Sequence, residues 1–211
     1  MMGDVFEKTD PDATPIHRVV MAPFELSKYE ITYAAYDSFA VTVGRPLPED
    51  NGYGRGLRAV ANVSWEEADA FCQHFGFRLP TEVEWEYAAR DAGQQYRYAG
   101  TDSVDTVDKY VRHVDNSVMH AFQGGTKAPN NLGLYDMSGN VYEWIGDYYE
   151  FYPKEGEKPV YKDLENFSMR IIRGGSFKSP AVHTQTFYRS GTLADIPSDA
   201  IGFRCARSLL D

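Results

Sequence analysis

The sequence has few cysteines, fewer basic than acidic residues and no long apolar run. Its 211 residues include 2 Cys, and 21 Lys and Arg against 31 Asp and Glu give a formal net charge of −10. This acidic balance, without a basic cluster, argues against binding to nucleic acid or to an anionic membrane surface. No stretch approaches the roughly 18 apolar residues of a transmembrane helix. We therefore expect neither nucleic acid as a partner nor insertion into a membrane.

The first residues are polar and show no signal peptide. The sequence therefore leaves the cellular compartment of the protein undecided. An extracytoplasmic location, periplasmic or secreted, is favoured if a leader has been removed. The cysteines, Cys72 and Cys205, have neither zinc-ligand nor Cys-x-x-Cys spacing. Spacing alone favours two buried free thiols over one long-range disulfide. The sequence also has no Gly-x-Ser-x-Gly elbow, P-loop or dinucleotide-binding fingerprint.

What the sequence does contain is typical of one folded domain over residues 1–211. Apolar residues make up 43% and charged residues 25%, and 15 Tyr, 12 Phe and 3 Trp can fill a sizeable core. Strands are predicted at 17–20 and 24–29. Helices are predicted after three capping residues, with ends at glycines, over 32–44, 64–76 and 81–93.

The second half of the chain has little periodicity. Residues 94–167 read as a long irregular segment, and 170–173 and 200–207 as short closing strands. Two or three helices followed by an irregular half with short strands indicate an α+β fold poor in regular secondary structure.

Several ordered strings resemble one family. They are Arg-Leu-Pro-Thr-Glu-Val-Glu-Trp-Glu-Tyr-Ala-Ala-Arg at 78–90, Leu-Tyr-Asp-Met-Ser-Gly-Asn-Val-Tyr-Glu-Trp at 134–144, Arg-Gly-Gly-Ser-Phe at 173–177 and Gly-Phe-Arg-Cys at 202–205. Together they are similar to the formylglycine-generating enzyme, or sulfatase-modifying factor, family. The resemblance implies a C-type-lectin-like α+β fold.

The family's oxidases hold copper between two thiolates, which are soft ligands suited to Cu(I). The matching positions here are Ser179 and Thr184, whose hydroxyls are poor copper ligands. The resemblance therefore implies a member that uses no copper and generates no formylglycine.

The leading interpretation is a bacterial accessory module that binds a protein or small-molecule ligand of unknown identity. The equivalent of the oxidase cleft would be lined by polar and aromatic residues, namely Ser176, Ser179, His183, Gln185, Tyr188 and Arg189. Three alternatives stay open: a packed loop without a ligand, a purely structural subunit, and an enzyme of different chemistry. That enzyme would use Ser176, Ser179 and His183 in the same cleft, with polar or metal-assisted chemistry.

The resemblance also implies calcium as a cofactor. The matching ligands are the side chains of Asp136 and Glu143 and the carbonyls of Gly139 and Val141, hard oxygen donors of the kind Ca²⁺ requires. The alternative is a turn whose two carboxylates cap the backbone. A weaker second site would use Asn116 and Ser117.

The same resemblance reverses the expectation for the cysteines. In secretory-pathway members, the cysteine of the helix before Arg-Leu-Pro-Thr-Glu bonds the cysteine of Gly-Phe-Arg-Cys. These positions are Cys72 and Cys205, so we predict that they are adjacent and form a disulfide outside the cytoplasm.

Overall fold

The structure is a computed structural model that describes residues 1–8, 10–154 and 169–209. Three helices have eight or more residues and a fourth is a single turn; they are α1 (Tyr33–Val43), α2 (Trp65–His74), α3 (Glu82–Ala89) and α4 (Val107–Tyr110). The six strands are short: β1 (Phe24–Leu26), β2 (Tyr142–Tyr148), β3 (Met169–Arg173), β4 (Arg189–Leu193), β5 (Ile201–Gly202) and β6 (Ala206–Ser208). The predicted α+β class is confirmed.

The helix starts follow local capping chemistry. The Ser64 side chain accepts a hydrogen bond from the Glu67 amide, and the Glu67 carboxylate accepts one from the Ser64 amide. Thr81 and Glu84 make the same reciprocal pair at α3. These caps satisfy amides that have no partner inside the helix, so each predicted start lies where the structure has it.

The strands form two sheets. One has four strands in the order β4-β3-β2-β5, with β5 parallel to β2 and the other pairs antiparallel. The other sheet pairs β1 with β6, and thus joins the first described strand to the last. Because β2 lies between β3 and β5, it is the central element on which both later strands depend.

An aromatic cluster fills the space between α1, α2 and the segment that connects β5 to β6. It consists of Tyr36, Phe39, Phe71 and Phe203, all at most 5% exposed. A disulfide between Cys72 and Cys205, with Cα atoms 5.7 Å apart, lies beside these rings. The two cysteines therefore meet as the family resemblance implied, and not as the free thiols that spacing alone favoured.

The structure differs from the sequence-based elements in several places. The strand predicted at 24–29 is only β1, the strand predicted at 200–207 is split into β5 and β6, and the segment 94–167 contains α4. Residues 17–20 form no strand, and only His17 pairs, in an isolated bridge to Met2. Helix α3 ends four residues before Gly93. The segment predicted as irregular contains β2, and its part at 155–167 lies outside the described residues. The strand β4 was also missed. Neither missed strand alternates simply between apolar and polar residues: in β2 the buried Glu143, Trp144 and Ile145 are consecutive, and β4 is Arg-Ser-Gly-Thr-Leu.

No helix in the described part of the chain is long and apolar enough to cross a membrane.

Candidate ligand-binding cleft

A sharp turn after β3 shapes the candidate cleft. Gly174 and Gly175 have φ angles of 92° and 72°, in the left-handed region that favours glycine. A Cβ atom on Gly175 would lie only 2.7 Å from both the His183 carbonyl oxygen and the Thr184 Cγ2 atom. Gly175 therefore packs directly against His183 and Thr184, in the middle of the 176–188 loop. A larger residue at position 175 would clash with them.

The two serines of the cleft are bonded to each other. The Ser179 hydroxyl accepts a hydrogen bond from the Ser176 amide at 3.0 Å, and the two hydroxyl oxygens lie 3.3 Å apart. Burial raises the pKa of the neighbouring Tyr142, and its interaction with Ser179 acts against that shift. Ser176 and Ser179 are 1% and 6% exposed, so their hydroxyls form a small polar floor.

Thr184 and Gln185 belong to the packed wall of the loop. Thr184 is fully buried, and its hydroxyl donates to the Ala181 carbonyl at 2.7 Å. Gln185 is also buried, and its carbonyl accepts from the Tyr188 amide. These two residues set the shape of the loop.

His183 and Tyr188 form a half-buried aromatic stack. Their ring centroids are 4.4 Å apart and their planes are inclined by 12°. Burial raises the pKa of Tyr188 to about 12, with smaller contributions from nearby Tyr142, Asp10 and Asp12. Two half-buried, nearly parallel rings can stack on a flat ligand.

Arg189 lies away from this stack, inside a network that we call the ionic cluster, formed by Glu82, Glu86, Arg90, Arg173 and Arg189. The Arg189 guanidinium donates to both Glu82 carboxylate oxygens, at 2.7 and 2.8 Å. Its Nη1 donates to the carbonyls of Asp12 and Glu150. Arg189 was predicted as a cleft residue because it follows Tyr188, but its side chain is engaged within the protein.

Sequence reasoning missed three residues of this region: Tyr142, Asp10 and Asp12. Tyr142 precedes Glu143 at the start of β2, so strand alternation could have placed the two on opposite faces. The two aspartates have no comparable signal. They come from the far end of the chain, where the Asp12 carbonyl accepts a hydrogen bond from Arg189.

The residues predicted to hold calcium lie together but are already bonded. Arg204 donates to both Glu143 oxygens, at 2.6 and 2.7 Å, and the Trp85 indole donates to one of them at 2.8 Å. The Asp136 carboxylate accepts from the Gly125 amide at 2.7 Å. An ionised carboxylate has about four acceptor positions, so Glu143 retains about one. Arg204 and the Trp85 indole thus hold the Glu143 carboxylate, and calcium at Asp136, Gly139, Val141 and Glu143 stays a prediction.

A third carboxylate, Glu30, joins Asp136 and Glu143 and was not anticipated. It accepts hydrogen bonds from the Asn140 side chain and from the Val141 amide. Burial raises the pKa of Glu30 well above its usual range, and the charges of Asp136 and Glu143 raise it further. We call Glu30, Asp136, Glu143 and Arg204 the carboxylate loop cluster. Burial raises the pKa of Asp136 as well, and the charges of Arg204 and Arg112 both act against that shift.

The two residues of the weaker second metal site, Asn116 and Ser117, are hydrogen-bonded within the protein, and a metal there stays a prediction. The Asn116 side-chain oxygen accepts from the His113 amide, and its nitrogen donates to Asp108 and to the Val111 carbonyl. The Ser117 hydroxyl donates to the Phe177 carbonyl at 2.8 Å. Both side chains thus tie loops together. Over the described ranges, no group of three or more His, Cys, Asp or Glu residues is arranged to hold a metal ion.

Comparison with known proteins agrees with this architecture. Residues 1–209 match the family described as the sulfatase-modifying factor enzyme 1-like domain. The chain belongs to this family. The inactive C-alpha-formylglycine-generating enzyme 2 of Mus musculus is 34% identical over 201 residues, which cover 80% of this chain and 58% of that protein. The formylglycine-generating enzyme of Streptomyces coelicolor is 26% identical, covering 97% and 85%.

Other relatives of the domain are larger proteins. The serine/threonine-protein kinase pkn1 of Chlamydia pneumoniae is 26% identical over 94% of this chain. The chain spans only 35% of that kinase and 58% of the inactive mouse protein. Among solved structures, PvdO from Pseudomonas aeruginosa has a TM-score of 0.82 at 25% identity, covering 99% of this chain and 90% of that one. Treponema denticola variable protein 1 has a TM-score of 0.80 at 23% identity, with coverages of 99% and 91%, and supports the fold alone.

Proposed function

We propose that this domain is a non-oxidase member of its family that binds a ligand or a protein partner through the aromatic stack of His183 and Tyr188. The observation that carries the proposal is the occupancy of the two copper-ligand positions. Ser179 is hydrogen-bonded to Ser176, and Thr184 is buried behind Gly175. Both cysteines of the chain are joined in the disulfide, so no thiolate is left for copper.

The stack and the serine floor support binding of a flat ligand group. The rings of His183 and Tyr188 are half-buried and nearly parallel, which leaves ring surface for stacking. The Ser176 and Ser179 hydroxyls lie in the same loop, buried and bonded to each other, and they hold the loop that carries the two rings. Two relatives give further support. One is named as an inactive enzyme and the other as a kinase, so neither name describes a working oxidase.

An enzyme of different chemistry is the second candidate. Nucleophilic catalysis by a serine needs a base within hydrogen-bonding distance. Within the described residues, the His183 ring makes no hydrogen bond to Ser176 or Ser179, and it stacks on Tyr188 instead. This geometry favours binding over catalysis.

The proposal is tested with copper, oxygen and a peptide containing Cys-x-Pro-x-Arg. The wild-type domain should form no aldehyde and should not compete with a chromogenic chelator for Cu(I). The Ser179→Cys/Thr184→Cys double variant, which restores two soft ligands, should take Cu(I) from the chelator. Ser179→Cys alone is the matched control, because one thiol cannot supply both ligands.

Copper-dependent aldehyde formation by the wild-type domain would contradict the proposal. Failure of the double variant to bind Cu(I) would show instead that the two positions do not converge.

A further inference from the structure

A groove of about 370 Å³ lies beside the disulfide, with Cys205 in its lining. One wall comes from the end of α2, through Phe71, Phe75 and Phe77. The opposite wall comes from the β1–β6 pair, through Leu26 and Ala206. The groove shares no residue with the predicted cleft. Its volume is within the range of about 300 to 1,000 Å³ that is usual for small-molecule sites.

Two phenylalanines at the groove are unusually exposed. Phe75 and Phe77 are 50% and 39% exposed, and they flank Gly76, whose φ of 75° turns the chain at the end of α2. Burying their apolar surface would be favourable by roughly 25 cal/mol per Å². Adjacent exposed aromatic side chains next to a concave apolar wall indicate a surface that binds something.

The charged groups at the opening neutralise each other. Arg207 donates to the Glu25 carboxylate at 2.8 Å, and its guanidinium lies 5.8 Å from the centre of the Phe77 ring. The Ser27 hydroxyl donates to the Tyr29 carbonyl and accepts from the Cys205 amide. The opening therefore has no net charge and its polar groups are already bonded. This matches an uncharged occupant, because a charged one would lose its hydration without gaining a counter-ion.

The disulfide connects the two walls. Cys72 belongs to α2, and Cys205 immediately precedes β6 and lines the groove. The walls are also joined where Arg78 and Ala206 exchange backbone hydrogen bonds at 2.9 and 2.7 Å. The covalent link thus holds Phe71 at a set distance from the strand pair.

We propose that this groove binds an uncharged aromatic or aliphatic small molecule, and that the Cys72–Cys205 disulfide is required for full affinity because it holds the walls together. This function is independent of the His183–Tyr188 stack.

Fluorescence titration with the neutral dye N-phenyl-1-naphthylamine tests the proposal. The full chain should bind one dye per molecule. Phe75→Asp, which places a carboxylate in the groove, should weaken binding at least tenfold, and Phe77→Ser should weaken it less. Phe151→Asp is the matched control at a residue 66% exposed outside the groove, and it should bind the dye as the wild type does.

Circular dichroism of each variant checks that it is folded before the dye is added. The Cys72→Ala/Cys205→Ala variant, studied where it is still folded, should bind the dye several-fold more weakly. Absence of dye binding, or equal binding by Phe75→Asp and wild type, overturns the proposal. Light scattering gives the oligomeric state of each variant. A wild-type dimer that Phe75→Asp converts to a monomer overturns the proposal as well, since the occupant would then be a second copy of the chain.

Discussion

The aromatic cluster and the ionic cluster are both buried, but they are held by different interactions. The rings of Tyr36, Phe39, Phe71 and Phe203 lie 5.3 to 6.3 Å from one another. In the ionic cluster, five charged side chains pair with one another and with backbone carbonyls. An apolar core tolerates a swap of similar volume, whereas loss of one buried charge leaves its partner unpaired. The two regions should therefore respond differently to single substitutions.

The largest loss of unfolding free energy is expected when the disulfide beside the aromatic cluster is removed. Cys72 and Cys205 are separated by 133 residues, and a loop of that length gives an upper estimate of about 4 to 5 kcal/mol of stabilisation. The Cys72→Ala/Cys205→Ala variant should lose up to this amount of unfolding free energy in denaturant titrations. A reducing agent should lower the stability of the wild type towards that of the variant and leave the variant unchanged. A wild type that is equally stable in reducing agent contradicts the prediction.

The next largest loss of unfolding free energy is expected in the ionic cluster, and it can be compared directly with a substitution in the aromatic cluster. Arg189→Met leaves the Glu82 carboxylate buried without its bidentate partner, so we expect a loss of about 3 to 5 kcal/mol in unfolding free energy. Phe203→Leu, which keeps the aromatic cluster apolar, should cost about 1 kcal/mol. Both are measured by chemical denaturation.

Arg207→Met is the matched control for an arginine. Its ion pair with Glu25 is about half exposed, so its loss should cost less than about 1 kcal/mol. If Arg189→Met cost no more than Arg207→Met, the ionic cluster would not stabilise this half of the fold.

A smaller effect than that of Arg189→Met concerns the carboxylate loop cluster. The family resemblance predicts calcium at Asp136 and Glu143, whereas the structure has Arg204 on Glu143. If calcium binds, a concentration ten times the dissociation constant should add about 1.4 kcal/mol of stability, or about 3 to 6 °C in melting temperature. Thermal melts in Ca²⁺, Mg²⁺ and EDTA measure this shift.

Asp136→Asn should abolish the calcium shift, because it removes one ligand charge and keeps the shape of the side chain. Equal melting temperatures of the wild type in Ca²⁺ and EDTA would show that Arg204 alone balances these acids.

Elements with local signals were predicted better than elements without them. The starts of α2 and α3 follow from a hydroxyl residue and a glutamate three positions later, since both capping bonds lie within one turn. The strand β2 was missed because its residues Tyr142–Tyr148 do not alternate simply between apolar and polar; they are buried from both sides at one end and exposed at the other. The sequence of the second half of the chain looks irregular because side chains from distant segments hold its backbone.

The sequence by itself determined the local features of this protein: the helix starts, the acidic charge and, through its motifs, the family and the hydroxyls at the two copper-ligand positions. Only the tertiary structure decided which charged groups meet. Arg189 pairs with Glu82 across 107 residues, and Glu30 joins Asp136 and Glu143 in one buried cluster. The physical reason is distance along the chain: capping depends on neighbours within four residues, whereas a buried charge takes the counter-ion that the folded chain brings to it.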